Sequence, residues 1–293
     1  MDLLNAFNDL DRHDEPANRD KVLRAPFAYP GGKSRSVTSI LPLLPYTDVY
    51  IEPFGGSGTV LLARKPSKLE VFNDRYSGVV SFYRCIRNKD KLERLCERLE
   101  LTLHAREEFV YCKFNWEKTE DDVERAALWF TMMTHSFASL GRNFGRSTTS
   151  KSPMARKLAT RLARFPLIHE RFSNVQVENQ DWYDCMKDYD QPGAVFYCDP
   201  PYVDAYRGTF KHEMTIDEHR HFLDFIFNCE GFVAVSGYSN PIYDERPWND
   251  RHEWDSFVSI SPRAFTDSNF KKDLKNQDER KHAKEVLWIK EAR

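Results

Sequence analysis

The residues of this chain best suited to chemistry are Asp199, Pro200, Pro201 and Tyr202. They follow the apolar run 195–198, which is typical of a buried strand, and the two prolines end that strand in a rigid turn. Open α/β sheets bind ligands at this end of their strands. A carboxylate and a backbone carbonyl there can accept both hydrogens of an exocyclic amine, while the Tyr ring stacks on the base. A plain strand with a proline-rich turn is the alternative interpretation.

A second candidate segment is a glycine-rich turn that follows a strand-like run and precedes a helix-like one. Its residues Phe54, Gly55, Gly56 and Gly58 would let the backbone approach a ligand closely, with a helix N-terminus behind them. Many α/β proteins use such a turn merely to reverse the chain, so the turn alone is weak evidence for a ligand site.

The strand-like run 69–72 ends at Asn73 and Asp74. An acid at the tip of the second strand is where Rossmann-like folds bind ribose hydroxyls. The alternative is that Asp74 caps the next helix, and one residue can do both.

A third motif includes Tyr29 and the run Gly31-Gly32-Lys33-Ser34. The Gly-Lys-Ser triplet suggests a phosphate-binding loop, but Phe27 stands where that motif requires a glycine. Lys33 could still reach a ligand carboxylate or phosphate.

Four motifs occur in a specific order along the chain: YPGGKSR, EPFGGSG, FND and DPPY. Together they resemble the Dam-type, D12 class DNA adenine-N6 methyltransferases, over residues 27–80 and about 175–290. The resemblance implies an α/β, Rossmann-like sheet that uses S-adenosylmethionine (AdoMet), with an inserted, mainly helical target-recognition lobe. The segment 134–141 matches the family's recognition loop only loosely, so the recognised DNA sequence cannot be carried over.

The resemblance also implies roles for the residues above. Asp199 and the Pro200 carbonyl would grip adenine N6, and Tyr202 would stack on the flipped-out base. The cofactor-binding residues would be Tyr29, Lys33, Phe54, Gly55, Gly56, Gly58, Asp74, Asp181 and Asp199. Within this set, Asp181 is assigned to the cofactor adenine, with a turn or helix cap as the alternative.

Spacing indicates where the inserted lobe lies. Asp74 and Asp199 are 125 residues apart, whereas two further helix–strand units need only about 60 residues. We therefore expect a polar extension over 1–24, a catalytic domain over 25–82 and 172–293, and a recognition lobe over 83–171. Strands are predicted over 48–52, 69–73, 175–178, 194–198 and 231–236, followed by an antiparallel pair, 253–260 and 283–290.

Charge supports that placement. The formal net charge of the chain is only −2, but residues 141–171 hold eight basic residues and one acid, a local net charge of +7. Basic residues neutralise phosphates, and Arg and Asn can read base edges. We expect double-stranded DNA to contact Arg142, Asn143, Arg146 and Lys151. A solvated basic face is the alternative.

Composition limits the remaining classes. The six cysteines form no Cys-x-x-Cys pair, so we expect no metal site and reduced cytoplasmic thiols. No apolar run is long enough to span a bilayer, and no membrane partner is expected. We expect a monomer or weak dimer, and the sequence leaves open whether a cognate restriction enzyme exists.

Four other functions compete with adenine methylation. The first is cytosine-N4 methylation, whose enzymes more often carry Ser in place of Asp199. The second is an RNA or protein-glutamine methyltransferase, and the glutamine enzymes commonly carry Asn at this position. A catalytically silent DNA-binding module would have lost Asp199 or the glycine turn, and both are intact. A NAD-dependent oxidoreductase would not use YPGGK or DPPY, and its glycine spacing differs.

Overall fold

Short runs rich in β-branched and aromatic residues form one twisted sheet. The computed structural model describes residues 23–146, 154–203, 211–256 and 283–293. In these ranges seven strands form a sheet in the order β3-β2-β1-β4-β5-β7-β6. Their bounds are β1 Val49–Glu52, β2 Leu69–Asn73, β3 Gln176–Glu178, β4 Ala194–Cys198, β5 Phe232–Tyr238, β6 Asp250–Ser256 and β7 Ala283–Lys290.

The central strands are parallel, as the alternation of strands and helices predicts. β1 pairs with β2 on one side and with β4 on the other, and β4 pairs with β5. Because the chain moves outward in opposite directions from β1 and from β4, the carboxyl ends of these two strands lie at the switch point where such sheets bind ligands.

The predicted antiparallel edge is confirmed. β7 runs antiparallel to both β5 and β6. The bounds of β7 match the predicted run, whereas β6 begins at Asp250, three residues earlier than predicted. The predicted end of that strand, residues 257–260, lies outside the described residues, and so does the predicted N-terminal extension through residue 22.

The helices follow the polar–apolar periodicity of the sequence. Their bounds are α1 Val37–Ile40, α2 Thr59–Ala63, α3 Ser77–Arg87, α4 Lys89–Glu100, α5 Arg106–Asn115, α6 Asp122–His135, α7 Met154–Leu162, α8 Phe165–Phe172, α9 Trp182–Tyr189, α10 Ile216–Ile226 and α11 Pro241–Asp244. Side chains cap several of their N-termini: Asn88 caps α4, Asp121 caps α6, and Thr215 caps α10 with Glu218 in a capping box.

One helix is shorter than the sequence suggests. The pattern over 121–140 predicts a single helix, but α6 ends at His135. Ser136 has extended backbone angles, and Ala138 and Ser139 adopt the left-handed region with φ of 54° and 55°. Non-glycine residues rarely adopt this region, so the local sequence offers no reason to end the helix there.

Contacts divide the chain into two units. The helical unit comprises Met1–Ser34, Gly56–Pro66 and Ser77–Val177, and the sheet unit comprises Arg35–Gly55, Ser67–Tyr76 and Glu178–Arg293. The first of these ranges is described only from residue 23. The glycine-rich turn passes from one unit to the other between Gly55 and Gly56. The predicted domain roles stay predictions.

Each unit has its own apolar core. In the sheet unit, buried residues of the central strands pack with α9 and α10, where Trp182 and Phe222 meet edge-to-face with centroids 5.0 Å apart. In the helical unit, Phe27 packs against Phe82 and Trp129 at centroid distances of 5.4 and 5.0 Å. Such aromatic pairs add to the stabilisation from area burial.

Candidate active site

The corner after β4 carries Asp199, Pro200 and Tyr202. β4 is buried along its whole length and lies between β1 and β5. Asp199 is half-buried at its carboxyl end, and Pro200 is buried. The structure therefore places an acid, a stiff backbone and an aromatic ring at the end of one central strand.

The Tyr202 side chain is held at two points. Its hydroxyl donates to Glu285 Oε1 at 2.9 Å, and its ring packs edge-to-face on Tyr238, with centroids 4.7 Å apart and planes at 77°. Burial, together with the nearby carboxylates of Asp199 and Glu285, raises the pKa of Tyr202 well above its usual value. The phenol therefore stays protonated and remains a hydrogen-bond donor.

A small cleft, open to solvent, adjoins this corner. Its walls include the prolines of the corner, the Tyr202 ring, and Gly237 and Tyr238 near the end of β5. These walls are mainly apolar and aromatic.

Asn73 joins the loops that follow three strands. It is fully buried, and its Nδ2 donates to the carbonyls of Pro53 at 2.9 Å and Gln180 at 3.2 Å. Its Oδ1 accepts from the Gln180 N–H at 2.8 Å, and its carbonyl accepts from the Gly55 N–H at 2.7 Å. One amide residue thus ties together the segments after β1, β2 and β3.

Gly55 must be glycine because of close packing. A Cβ atom added at Gly55 would overlap the ring of Phe72 on β2. The neighbouring Phe54 is half-buried, and its ring meets Phe222 of α10 edge-to-face at 5.5 Å. Internal packing therefore accounts for the glycine at position 55, and the close ligand approach expected at this turn stays a prediction.

Asp74 and Asp181 lie in the segments after β2 and β3. Asp74 Oδ1 accepts from the Tyr76 N–H at 2.7 Å, in the turn before α3. Asp181 caps α9 through the Tyr183 N–H at 3.1 Å, and its other oxygen lies 3.4 Å from an Arg75 nitrogen. Each acid therefore caps a helix or closes a turn, which was the alternative to a cofactor-binding role. The cofactor contacts of Asp74 and Asp181 stay predictions.

Two predicted cofactor residues meet in the helical unit. The Tyr29 ring lies against Gly56, where an added Cβ would come within 3.1 Å of Tyr29 Cδ1. Gly56 and Gly58 have φ of 50° and 64°, angles that favour glycine. Gly58 is the N-cap residue of α2, which has only five residues. In addition, the Tyr83 hydroxyl donates to the Ser57 carbonyl at 2.6 Å and fixes this side of the turn.

Lys33 is buried and only 4% exposed. Its ammonium group donates to the Gly31 carbonyl at 2.8 Å, within a turn closed by the Gly32 N–H and the Tyr29 carbonyl at 3.0 Å. A buried ammonium requires hydrogen-bond acceptors or an anion. The expected pairing of Lys33 with a ligand carboxylate stays a prediction.

The predicted DNA-contacting residues follow the end of α6 in a tight loop. The Phe137 N–H donates to the Asn143 carbonyl at 2.7 Å, and the Gly145 N–H donates to the His135 carbonyl at 2.7 Å. Lys113 of α5 donates to the Arg142 carbonyl at 2.9 Å. These contacts hold the backbone and leave Asn143 and Arg146 exposed, with Arg142 half-buried. Lys151 lies outside the described residues.

Not every basic residue of 141–171 faces solvent. Arg171 donates to the Leu61 carbonyl at 2.7 Å, and burial lowers the pKa of Arg161. The solvated basic face is therefore smaller than the sequence count suggests, and its exposed part includes Asn143 and Arg146.

Sequence reasoning missed Asn73, Ser36 and Glu285 as parts of the site. Their contacts join residues far apart in sequence, 107 positions for Asn73 and Gln180 and 249 for Ser36 and Glu285. The local sequence gave only a weak signal for Glu285, an acid that directly precedes the apolar run of β7.

In the part of the chain that the structure describes, no group of three or more His, Cys, Asp or Glu side chains is placed to hold a metal ion. Across the same ranges, no helix is both long and apolar enough to cross a bilayer.

Comparison with known proteins agrees with this architecture. The DNA adenine methylase of Escherichia coli (strain K12) is 25% identical over 187 residues, and that of Salmonella typhimurium (strain LT2) is 26% identical over 194 residues. Each alignment covers 62% of this chain and 66% of the relative. Residues 29–260, which include all four motifs, match the family described as D12 class N6 adenine-specific DNA methyltransferase. The chain belongs to this D12 class of DNA methyltransferases.

Proposed function

We propose that this chain transfers a methyl group from AdoMet to N6 of a flipped-out adenine in double-stranded DNA. The observation that carries the proposal is the corner after β4, where half-buried Asp199 and the fixed ring of Tyr202 follow a fully buried central strand. The neighbouring strand, β1, ends at the close-packed turn of Phe54 and Gly55. Adjacent strands lie about 4.8 Å apart, so the two segments leave the sheet side by side.

The protein's task is to make a weak nucleophile reactive. The N6 lone pair of adenine is delocalised into the ring. Hydrogen bonds from the N6 hydrogens to Asp199 and to the Pro200 carbonyl favour a pyramidal nitrogen with an available lone pair. The same acceptors stabilise the positive charge that develops on N6, so they act more strongly on the transition state than on the ground state.

When bound, AdoMet supplies a methyl group already activated by its sulfonium. The chain therefore needs no strong general base, because the N6 proton can leave after transfer. Holding the nitrogen in line with the reacting carbon supplies much of the remaining rate advantage.

An adenine inside a duplex cannot reach this corner, so the base leaves the stack and Tyr202 stacks on it. Such stacking is worth about 1–3 kcal/mol per base.

The AdoMet-binding roles proposed for individual residues are those that the family resemblance implies. In the sheet unit, Phe54 and Gly55 present close-packed backbone, Asp74 binds the ribose, and Asp181 contacts the adenine ring. A side chain at Gly55 would overlap Phe72, so internal packing fixes the backbone that Gly55 presents. In the helical unit, Lys33 and the turn around it bind the methionine end.

The Tyr29 ring and the left-handed glycines Gly56 and Gly58 complete this methionine-binding set. Tyr29 lies against Gly56, which supports a shared role.

The DNA face is assigned to the loop after α6. The exposed side chains of Asn143 and Arg146 and the half-buried Arg142 lie on a backbone held by three hydrogen bonds. This arrangement supports positioning by phosphates and base reading by Arg and Asn. Lys151 is included in the DNA face on its charge alone.

We place the protein in the cytoplasm as a monomer or weak dimer. A cognate restriction enzyme would share its recognition sequence.

Long-read modification sequencing tests the proposal. DNA would be taken from a host lacking its own methyltransferases, with and without expression of the chain. We expect N6-methyladenine at one short recurring sequence only when the chain is expressed. Cytosine methylated at N4 would favour the alternative chemistry, and unmodified DNA would contradict the proposed function.

A further inference from the structure

Glu285 carries a carboxylate in a buried part of the sheet unit. It lies on β7 and is 5% exposed. Its Oε1 accepts from the Tyr202 hydroxyl at 2.9 Å, and its Oε2 accepts from the Ser36 hydroxyl at 2.7 Å. Burying a charge is costly unless hydrogen bonds compensate. Because each oxygen has a different partner, the carboxylate cannot rotate without breaking one of these bonds.

Among the described residues, one cross-strand pair supplies both a hydrogen bond and a ring contact to Tyr202. Glu285 on β7 is the register partner of Tyr238 on β5. Glu285 accepts from the Tyr202 hydroxyl, while Tyr238 meets the Tyr202 ring at 77°. One contact sets the position of the hydroxyl, and the other sets the tilt of the ring. The β5–β7 pair thus fixes the orientation of Tyr202.

Ser36 does not make the hydrogen bond that its position favours. It precedes α1, where a serine side chain ordinarily accepts from a backbone N–H of the first turn. No such capping bond is present, and the hydroxyl donates to Glu285 instead. Departures from local rules of this kind concentrate at functional sites. Ser36 therefore serves the Glu285 carboxylate and not its own helix.

We propose that Glu285 is a positioning residue for Tyr202, holding its ring at the angle at which the target adenine stacks. The inference rests on the proposed function, since Tyr202 needs a fixed ring face only if a base leaves the duplex. In this proposal Glu285 acts on the base through the Tyr202 hydroxyl. Its removal should therefore affect the use of DNA and leave AdoMet binding unchanged.

Steady-state kinetics on a duplex with the methylated site, with DNA and AdoMet varied separately, tests this inference. For Glu285→Ala we expect kcat/KM for DNA to fall about tenfold, the lower part of the range for one base stack, with an unchanged KM for AdoMet. Glu285→Gln keeps an acceptor for Tyr202 and should retain most of the activity. Glu70→Gln is the matched control, because Glu70 is a buried acid near the amino end of β2.

A second readout replaces the target adenine with 2-aminopurine, whose fluorescence is quenched by stacking. The bound Glu285→Ala complex should be brighter than the wild-type complex, because an unrestrained ring stacks less. Wild-type kcat/KM for DNA in Glu285→Ala would overturn the inference, and so would equal losses in the Ala and Gln variants. If Glu285→Ala does not fold, Tyr202→Phe provides the test, because it removes the same hydrogen bond. We expect kcat/KM for DNA to fall several-fold in Tyr202→Phe, and full activity of this variant would overturn the inference. Absence of methylation by the wild-type chain would instead contradict the proposed function.

Discussion

Asn73 and Gln180 bond to each other in both directions: the Gln180 N–H donates to Asn73 Oδ1 at 2.8 Å, and Asn73 Nδ2 donates to the Gln180 carbonyl at 3.2 Å. The same Nδ2 donates to the Pro53 carbonyl at 2.9 Å. Asn73 directly precedes Asp74, Gln180 directly precedes Asp181, and Pro53 directly precedes Phe54. The buried amide therefore fixes the spacing of three segments assigned to AdoMet.

The variant Asn73→Asp should weaken AdoMet binding. It replaces a donor with an oxygen that faces two carbonyls in a buried site, and unsatisfied groups of this kind cost about 1–3 kcal/mol. We expect the Kd for AdoMet, measured by calorimetry, to rise about tenfold or more, with DNA affinity unchanged. Asn228→Asp, which alters an exposed amide, is the control and should bind AdoMet normally. Equal AdoMet affinity in wild type and Asn73→Asp would show that the amide does not shape the site.

Gly55→Ala should destabilise the protein because the new methyl group overlaps the Phe72 ring. Overpacking of this kind typically costs about 1–3 kcal/mol. Gly193→Ala is a useful comparison, since Gly193 has φ of 82° but no atom within 4 Å of an added Cβ, which leaves backbone strain alone. Urea unfolding should show a larger loss of stability for Gly55→Ala than for Gly193→Ala. The reverse order would mean that the turn after β1 is loosely packed.

Arg142→Glu and Arg146→Glu should weaken DNA binding and spare AdoMet binding. If each arginine neutralises one phosphate, its replacement should reduce the slope of log K against log salt by about one. Fluorescence anisotropy at several salt concentrations measures both the affinity and this slope. Arg220→Glu serves as the control because Arg220 is an exposed arginine of the sheet unit. Unchanged DNA affinity in the two loop variants would place the DNA face elsewhere on the molecule.

Stability should fall as the pH drops from about 6.5 towards 4. Burial lowers the pKa of His219 and of His135 from 6.5 to about 4 in each case. Between these values the unfolded chain binds protons that the folded chain does not, so acid favours unfolding. By this linkage each histidine contributes up to roughly 2 kcal/mol of lost stability at pH 5.

Urea unfolding at pH 7 and pH 5 checks this expectation. His219 shares a hydrogen bond of 2.8 Å with the Tyr243 hydroxyl through Nδ1, and His219→Gln removes its titration. The variant should be less stable at pH 7 but should lose less further stability at pH 5 than wild type. If wild type and His219→Gln lose the same stability between pH 7 and pH 5, His219 does not take up a proton on unfolding.

Much of the sheet could be predicted because its strands are short runs of β-branched and aromatic residues. β2, β4 and β7 have the predicted bounds, and the other described strand ends that can be compared differ by at most three residues. The placement of Asp74 and Asp199 at carboxyl ends follows from this, since a residue that ends a parallel strand must lie at one edge of the sheet.

The supporting contacts could not be predicted, because they depend on register between distant segments. Glu285 meets Tyr202 only because β7 pairs antiparallel to β5 in one register. The end of α6 at His135 likewise depends on the left-handed Ala138 and Ser139, which carry no local signal. The sequence therefore predicts candidate residues for the chemistry, and the structure adds the contacts that hold their side chains.

Single-turnover methyl transfer by purified wild type and Asp199→Ala, on a duplex carrying the methylated site, tests the central claim most directly. Asp217→Ala, which alters an exposed acid, is the control. The account predicts that Asp199→Ala remains folded and slows by at least about 100-fold, the scale for removal of one group that stabilises a transition state. Transfer by Asp199→Ala at near the wild-type rate would contradict the account.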